Sequence, residues 1–176
     1  MSKDLVLVFH PDLAASVVNR RWVQELGRHP ERHTVHDVHA AYPDGRIDVE
    51  REQKLVEDHE RLILQFPIYW FSCPPLVKTW LDEVLTSGWA YGPGGDALAR
   101  RPVALGVTAG IRESDYRRDG RYGHTLAEAL TPFEMTFQYT GADFRSFYAF
   151  YGAEHGPSTE AVARSARGYL EFLERL

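Results

Sequence analysis

Three stretches carry side chains whose types and spacing suit the binding of a phosphorylated, planar ligand. The first is His10-Pro11-Asp12-Leu13-Ala14-Ala15-Ser16-Val17-Val18-Asn19, between an apolar run and an amphipathic one. Free N–H groups and the positive dipole end at a helix start suit a phosphate, and Ser16 and Asn19 can add side-chain donors. A capped helix with a solvated His10 fits the same residues. The second is Phe66-Pro67-Ile68-Tyr69-Trp70-Phe71-Ser72-Cys73-Pro74-Pro75. A stiff turn dense in aromatics offers stacking surface and backbone hydrogen bonds to a flat ring, or else forms a core turn or a subunit contact. The third runs from Thr108-Ala109-Gly110-Ile111 through Tyr116-Arg117-Arg118-Asp119-Gly120 to Gly123. Gly110 would let backbone approach a ligand closely, although a solvated loop is equally consistent.

The elements between these stretches dictate where they meet. Leu5 to Phe9, His33 to Val38, Arg61 to Phe66 and Pro102 to Thr108 read as strands, the first a continuous apolar run of the kind buried on both faces. A last strand region falls within Phe133 to Tyr139 and Phe144 to Tyr151. Ala14 to Gly27, Pro74 to Leu85 and Ser158 to Leu176 have apolar residues at helical spacing, with Gly27 and Gly88 as stops and Ser158 as a cap. Ile47 to His59 gives a weaker helical pattern, and Gly123 to Leu130 starts another helix. Alternating strands and helices predict an α/β fold with a parallel sheet covered on both faces, in one domain over 1–176. Ligands of such sheets sit beyond the carboxyl ends of the strands, where all three stretches fall.

Composition narrows the chemistry. The chain has 176 residues, 44% hydrophobic and 26% charged, with a net charge of −5. That balance disfavours nucleic acid as a partner, since phosphate neutralisation needs a basic face. The single cysteine, Cys73, excludes an internal disulfide and fits a reducing cytoplasm. The apolar run after Met1-Ser2-Lys3-Asp4 is too short for a membrane span and lacks the form of a signal peptide. Of His29, His33, His36 and His39, the first three would share a face on a helix; on a strand, residues three apart point to opposite sides, so no metal site is expected. Cys73 sits near a helix start, which can lower a thiol pKa, but packing is the better reading. A nucleophile elbow is absent.

Together, the His10-Pro11 loop with Ser16 and Asn19, the run Pro67 to Lys78, and Thr108-Ala109-Gly110 with Tyr116 to Gly120 resemble the flavodoxin-like NAD(P)H:quinone oxidoreductases. The likeness is to the bacterial branch that includes ancillary proteins of glutathione-gated potassium efflux systems, and it covers about residues 4 to 155. The resemblance implies a five-stranded parallel sheet of order 2-1-3-4-5 sandwiched by helices. It implies FMN (or FAD) as cofactor, NAD(P)H as electron donor and a quinone-like acceptor, reduced by two-electron ping-pong transfer. By resemblance, His10, Ser16, Val17, Val18 and Asn19 hold the phosphate and ribityl chain. Pro67, Ile68, Tyr69, Trp70 and Phe71 support the isoalloxazine, and Thr108, Ala109, Gly110 and Ile111 close its other side. Tyr116 and Tyr122 would be the catalytic hydrogen-bond donors, and Arg117, Arg118 and Arg121 are either contacts to an NADPH phosphate or a solvated basic loop.

The family also implies a homodimer, in which Trp80, Trp89 and Tyr91 are interface or core residues, and a cytoplasmic location, peripheral to the membrane if an efflux channel is a partner. A regulatory subunit of such a channel and an electron-carrier flavodoxin are the alternatives to the enzyme. The chain departs from the family at two places: relatives commonly read Thr-Thr-Gly-Gly where Thr108-Ala109-Gly110-Ile111 stands, and Tyr122 stands where mammalian members carry histidine. A phenol donates a hydrogen bond but does not carry a proton at neutral pH as imidazole does.

Overall fold

The computed structural model describes residues 3–176; Met1 and Ser2, the start of the expected domain and N-terminal stretch, lie outside the described residues. Five parallel strands, β1 (Asp4–Val8), β2 (His33–Asp37), β3 (Arg61–Pro67), β4 (Pro102–Thr108) and β5 (Asp143–Phe150), pair in the order β2-β1-β3-β4-β5. β1 is buried at every position, as its unbroken apolar run requires. Its side chains alternate between two cores: Leu5, Leu7 and Phe9 face one, Val6 and Val8 the other.

Helices α1 (Val18–Leu26) and α6 (Thr159–Glu174) cover the Val6 side. Trp22 of α1 stacks on Tyr169 of α6 at 4.4 Å between ring centres, and its indole N–H donates to the Ser165 hydroxyl at 3.0 Å. Glycine is required opposite them: a Cβ on Gly106 of β4 would lie 2.6 Å from the Tyr169 hydroxyl. On the other side lie α2 (Val38–Ala41), α3 (Val49–Glu57), α4 (Pro75–Val84) and α5 (Leu126–Tyr139). Beneath them the fully buried Glu52 carboxylate accepts from Tyr42 Oη, His36 Nε2 and Trp80 Nε1, at 2.8, 2.8 and 2.9 Å.

The structure corrects the sequence expectations at two places and narrows the roles of Trp80 and two histidines. The first helix starts at Val18, not Ala14, because Asp12 Oδ1 accepts from the Ala15 amide and Ser16 Oγ from the Asn19 amide, so side chains hold the preceding residues in turns. Phe133 to Tyr139 is not strand but the second half of α5, which runs through Pro132. A Thr125–Glu128 capping box starts this helix, and Leu126, Leu130, Phe133 and Phe137 form its buried stripe. Proline and the aromatics suggest a break, but burial of that stripe outweighs local propensity. Trp80 is fully buried and donates to Glu52, so its role is in the core. His33 and His36 are engaged separately, with Asp4 and Glu52.

Candidate functional site

The carboxyl ends of β1, β3, β4 and β5 open on one cleft. In the order 2-1-3-4-5 the connections after β1 and β3 lead to opposite sides of the sheet, so the loops after these two parallel strands diverge and leave a crevice. At its first end, a cavity of about 310 Å³ is lined by His10, Asp12, Ser16, Val17, Val18 and Asn19 from the first loop, Pro67, Ile68 and Tyr69 from the second, and Thr108 and Gly110 from the third. A second cavity, about 500 Å³, continues over Ile68, Tyr69, Trp70, Phe71, Gly110, Ile111 and Tyr116. The two share Ile68, Tyr69, Gly110 and Glu154.

Each wall is held by specific bonds. The Asp12 amide donates to His10 Nδ1 at 3.1 Å, which leaves the ring proton on Nε2. The His10 pKa is lowered by burial and by the neighbouring His39, against the attraction of Asp12 and Asp37. This imidazole is therefore neutral at pH 7. Val17, Val18 and Asn19 at the start of α1 line the same cavity, with the Asn19 backbone amide donating to Ser16 Oγ at 3.1 Å.

The second loop is a tight turn: the Ser72 amide donates to the Tyr69 carbonyl at 2.9 Å, and both central residues have positive φ, Trp70 at 49° and Phe71 at 61°. Two bulky residues in this region carry strain of the sort that persists at binding sites. The turn turns Trp70 outward, 95% exposed, while Phe71 packs edge-on against Tyr122 at 5.0 Å and Tyr116 at 6.2 Å. Tyr116 is buried, and burial, with Tyr151 and Tyr122 beside it, raises its pKa. Its phenol stays a proton-bearing donor through neutral pH.

Not every expected residue faces the cleft. Ala109 is fully buried; its amide donates to the Phe150 carbonyl at 2.7 Å and its carbonyl accepts from Ala153 at 2.9 Å, so it anchors the third loop from beneath. Asn19 borders the cavity but is buried, and its side-chain amide donates to Thr108 Oγ1 at 2.9 Å. Tyr122 lines a separate apolar pocket, about 340 Å³, behind Phe71 and Tyr116, with His124, Thr125 and Glu128. Arg118 pairs with Glu128, and Arg121 lies over the Tyr122 ring at 5.5 Å. Burial raises the Cys73 pKa, so the thiol is a packing group and not an activated nucleophile.

Sequence reasoning missed three contributors. Gln65, fully buried at the end of β3, donates to Asn19 Oδ1 at 3.2 Å. Asp12 caps the loop through Ala15, an Asx-type bond readable from its spacing. Glu154 enters both cavities from the loop after β5, and no spacing relative to the first three loops signals it.

A fold of this topology, with its cleft at these loops, matches the flavodoxin-like fold family over residues 2–173. The chain belongs to that family. Among the flavodoxin-like relatives, the general stress protein 14 of Treponema denticola, solved in complex with FMN, shares 49% identity over 98% of each chain, with a TM-score of 0.94. A solved NADPH-quinone reductase from P. pentosaceus shares 27% identity, covering 97% of this chain and 96% of that one, with a TM-score of 0.86. YrkL of Bacillus subtilis (strain 168), named as an uncharacterized NAD(P)H oxidoreductase, is 45% identical over 98% of each chain. KefG of Erwinia tasmaniensis, named as an ancillary protein of the glutathione-regulated potassium-efflux system, is 37% identical over 98% of this chain and 92% of its own length.

Proposed function

We propose that the chain is an FMN-dependent NAD(P)H oxidoreductase whose acceptor is a quinone or a related flat electron acceptor. The observation that carries this reading is the pairing of the two joined cavities: one end lined by a helix start and a histidine N–H, the other by an aromatic turn held at positive φ. A phosphate and a planar ring joined by a short polar chain fit such a pair. The FMN-bound relative and the relatives named for NAD(P)H and quinone support the same ligand chemistry.

In this reading His10 Nε2 and the amides of Val17 and Val18 hold the phosphate. Asn19 and Thr108 act through each other as the frame of that loop. The backbone of Pro67 to Phe71 and the amides of Gly110 and Ile111 hold the ring edge; the third-loop carbonyls are already occupied by Gly152, Ala153 and Glu154 amides. FMN, when bound, supplies two-electron hydride chemistry. The chain's own contribution is a half-enclosed aromatic wall over which nicotinamide and acceptor take turns, giving ping-pong kinetics. The Tyr116 hydroxyl donates to the oxygen on which charge develops, and the outlying Tyr122 buttresses it through Phe71.

Absorbance of the purified protein tests this. A flavin band that bleaches on anaerobic addition of NADPH or NADH and returns with a quinone is the expected result. Failure to bind FMN after reconstitution overturns the reading.

The kinship with KefG favours a second role, as a flavin-binding ancillary subunit of a potassium efflux system. Among the described residues no helix is long and apolar enough to cross a membrane, so such a partner would supply the membrane span. A bound flavin that neither nicotinamide reduces would favour this role over the enzyme.

A further inference from the structure

Glu154 stands at the seam of the two cavities and belongs to none of the three loops that carry the family pattern. Its backbone is fixed. The 152–154 segment runs beside the third loop, with Gly152, Ala153 and Glu154 amides donating to the carbonyls of Ile111, Ala109 and Gly110 at 2.8, 2.9 and 3.3 Å. The carboxylate lies directly over Gly110: a Cβ there would come within 2.6 Å of Cδ, 2.7 Å of Oε1 and 2.9 Å of Oε2. Glycine at 110 thus leaves the space this carboxylate fills. Among the described residues no basic nitrogen lies within 4.0 Å of it, so both oxygens keep their acceptor capacity.

A carboxylate between a phosphate end and a ring end meets the part of the ligand that joins them. In FMN that part is a sugar-alcohol chain, a row of hydroxyl donors. An ionised carboxylate accepts from hydroxyls in short, strong hydrogen bonds, and it repels phosphate. The seam position therefore suits the polyol and penalises a ligand displaced along the cleft. Resting on the FMN reading, we infer that Glu154 is a specificity-determining residue that accepts hydrogen bonds from the ribityl hydroxyls and sets the cofactor's register between its phosphate and ring subsites.

The test is binding, read by quenching of flavin fluorescence, of FMN and riboflavin to the full-length apoprotein and to its E154A and E154Q variants. Glu154 is exposed and its backbone bonds do not involve the carboxylate, so both variants are expected to fold; circular dichroism checks this. The expected result is a loss of about tenfold or more in E154A for riboflavin and a smaller loss for FMN, because the polyol is common to both while only FMN is also relieved of repulsion from the carboxylate. E154Q, which keeps one acceptor oxygen, recovers part of the loss. Unchanged affinities overturn the inference. So does an E154A variant that binds FMN more tightly but riboflavin equally, which would place the carboxylate against the phosphate. If the wild-type protein binds neither flavin, the cofactor reading fails, and the failure is separate from that of the Glu154 assignment.

Discussion

The side-chain amide of Asn19 donates to the Thr108 hydroxyl at 2.9 Å, tying the first turn of α1 to the end of β4 across 89 residues of chain. Gln65, at the end of β3, donates to Asn19 Oδ1 and extends the tie. All three side chains are buried, and together they fix the spacing of the loops that frame the cleft. A buried polar chain of this kind is costly when half broken, because the remaining donor or acceptor has no water to turn to.

Asn19→Ala and Thr108→Val should therefore each cost about 1–3 kcal/mol in cofactor-free protein, measured by urea unfolding. The double variant should lose less than the sum, because each single already breaks the Asn19–Thr108 bond, Asn19→Ala also freeing Gln65. Strictly additive losses would show that the tie carries no coupling.

Trp70 predicts an opposition between stability and function. It sits at φ 49° and is 95% exposed, so its side chain adds little burial and its backbone is strained. Glycine adopts that conformation freely, though it loses more entropy on folding. Trp70→Gly should raise stability by about 1 kcal/mol or less, while FMN affinity falls with the lost stacking wall. A variant that is both less stable and unchanged in FMN binding would contradict both halves.

The central strands and the three loops were legible in the sequence for a simple reason. A parallel sheet buried on both faces needs near-continuous apolar runs, and Leu5 to Phe9 and Leu62 to Leu64 supply them. The second half of α5 was not legible, because Pro132 and three aromatics disguise a helix whose stripe becomes decisive only against the sheet. At the site, loop positions followed from strand ends, but side-chain directions did not. Asn19 reads as a ligand donor until Thr108 is seen opposite it, and Glu154 reads as a solvated acid until the Gly110 contact is known. Both depend on pairings between distant segments, which no local pattern encodes.

Tyr116 should matter to turnover more than to stability. Burial keeps its phenol protonated well above neutrality, so it is a donor throughout the working range. Tyr116→Phe keeps the ring packing with Phe71 and Tyr151 and removes only the donor. Quinone reduction should slow roughly ten- to hundredfold in kcat, with little change in FMN affinity. An unchanged kcat would remove Tyr116 from the reaction.

Glu52 should set part of the acid sensitivity of the fold. Burial alone would raise its pKa, but bonds from His36 and Trp80, the charge of His36 and the bond from Tyr42 outweigh it and hold the carboxyl below its ordinary 4.5. A folded-state pKa below the unfolded one gives stability that is fully present above 4.5 and is lost as pH falls through the lowered value. Glu52→Gln should therefore lower stability at neutral pH and flatten its decline on acidification, as followed by thermal unfolding at a series of pH values. Parallel pH profiles for the two proteins would exclude Glu52 as a source of that decline.

His10 gives a pH dependence of binding with the opposite sign. In the free protein burial and His39 hold its pKa below 6.5, so it is neutral at pH 7. A phosphate placed against Nε2 favours the imidazolium and raises that pKa in the complex. A group whose pKa is higher in the bound state takes up a proton on binding, so affinity must rise as pH falls through the bound value and level off near the free one. FMN affinity should therefore tighten as pH falls from the alkaline side toward neutrality, up to the point where the phosphate itself takes a proton. Riboflavin, without phosphate, should bind with no such slope, and His10→Asn should abolish it for FMN while leaving riboflavin unaffected. A slope of equal size for both flavins would trace the titration to another group and remove His10 from the phosphate site.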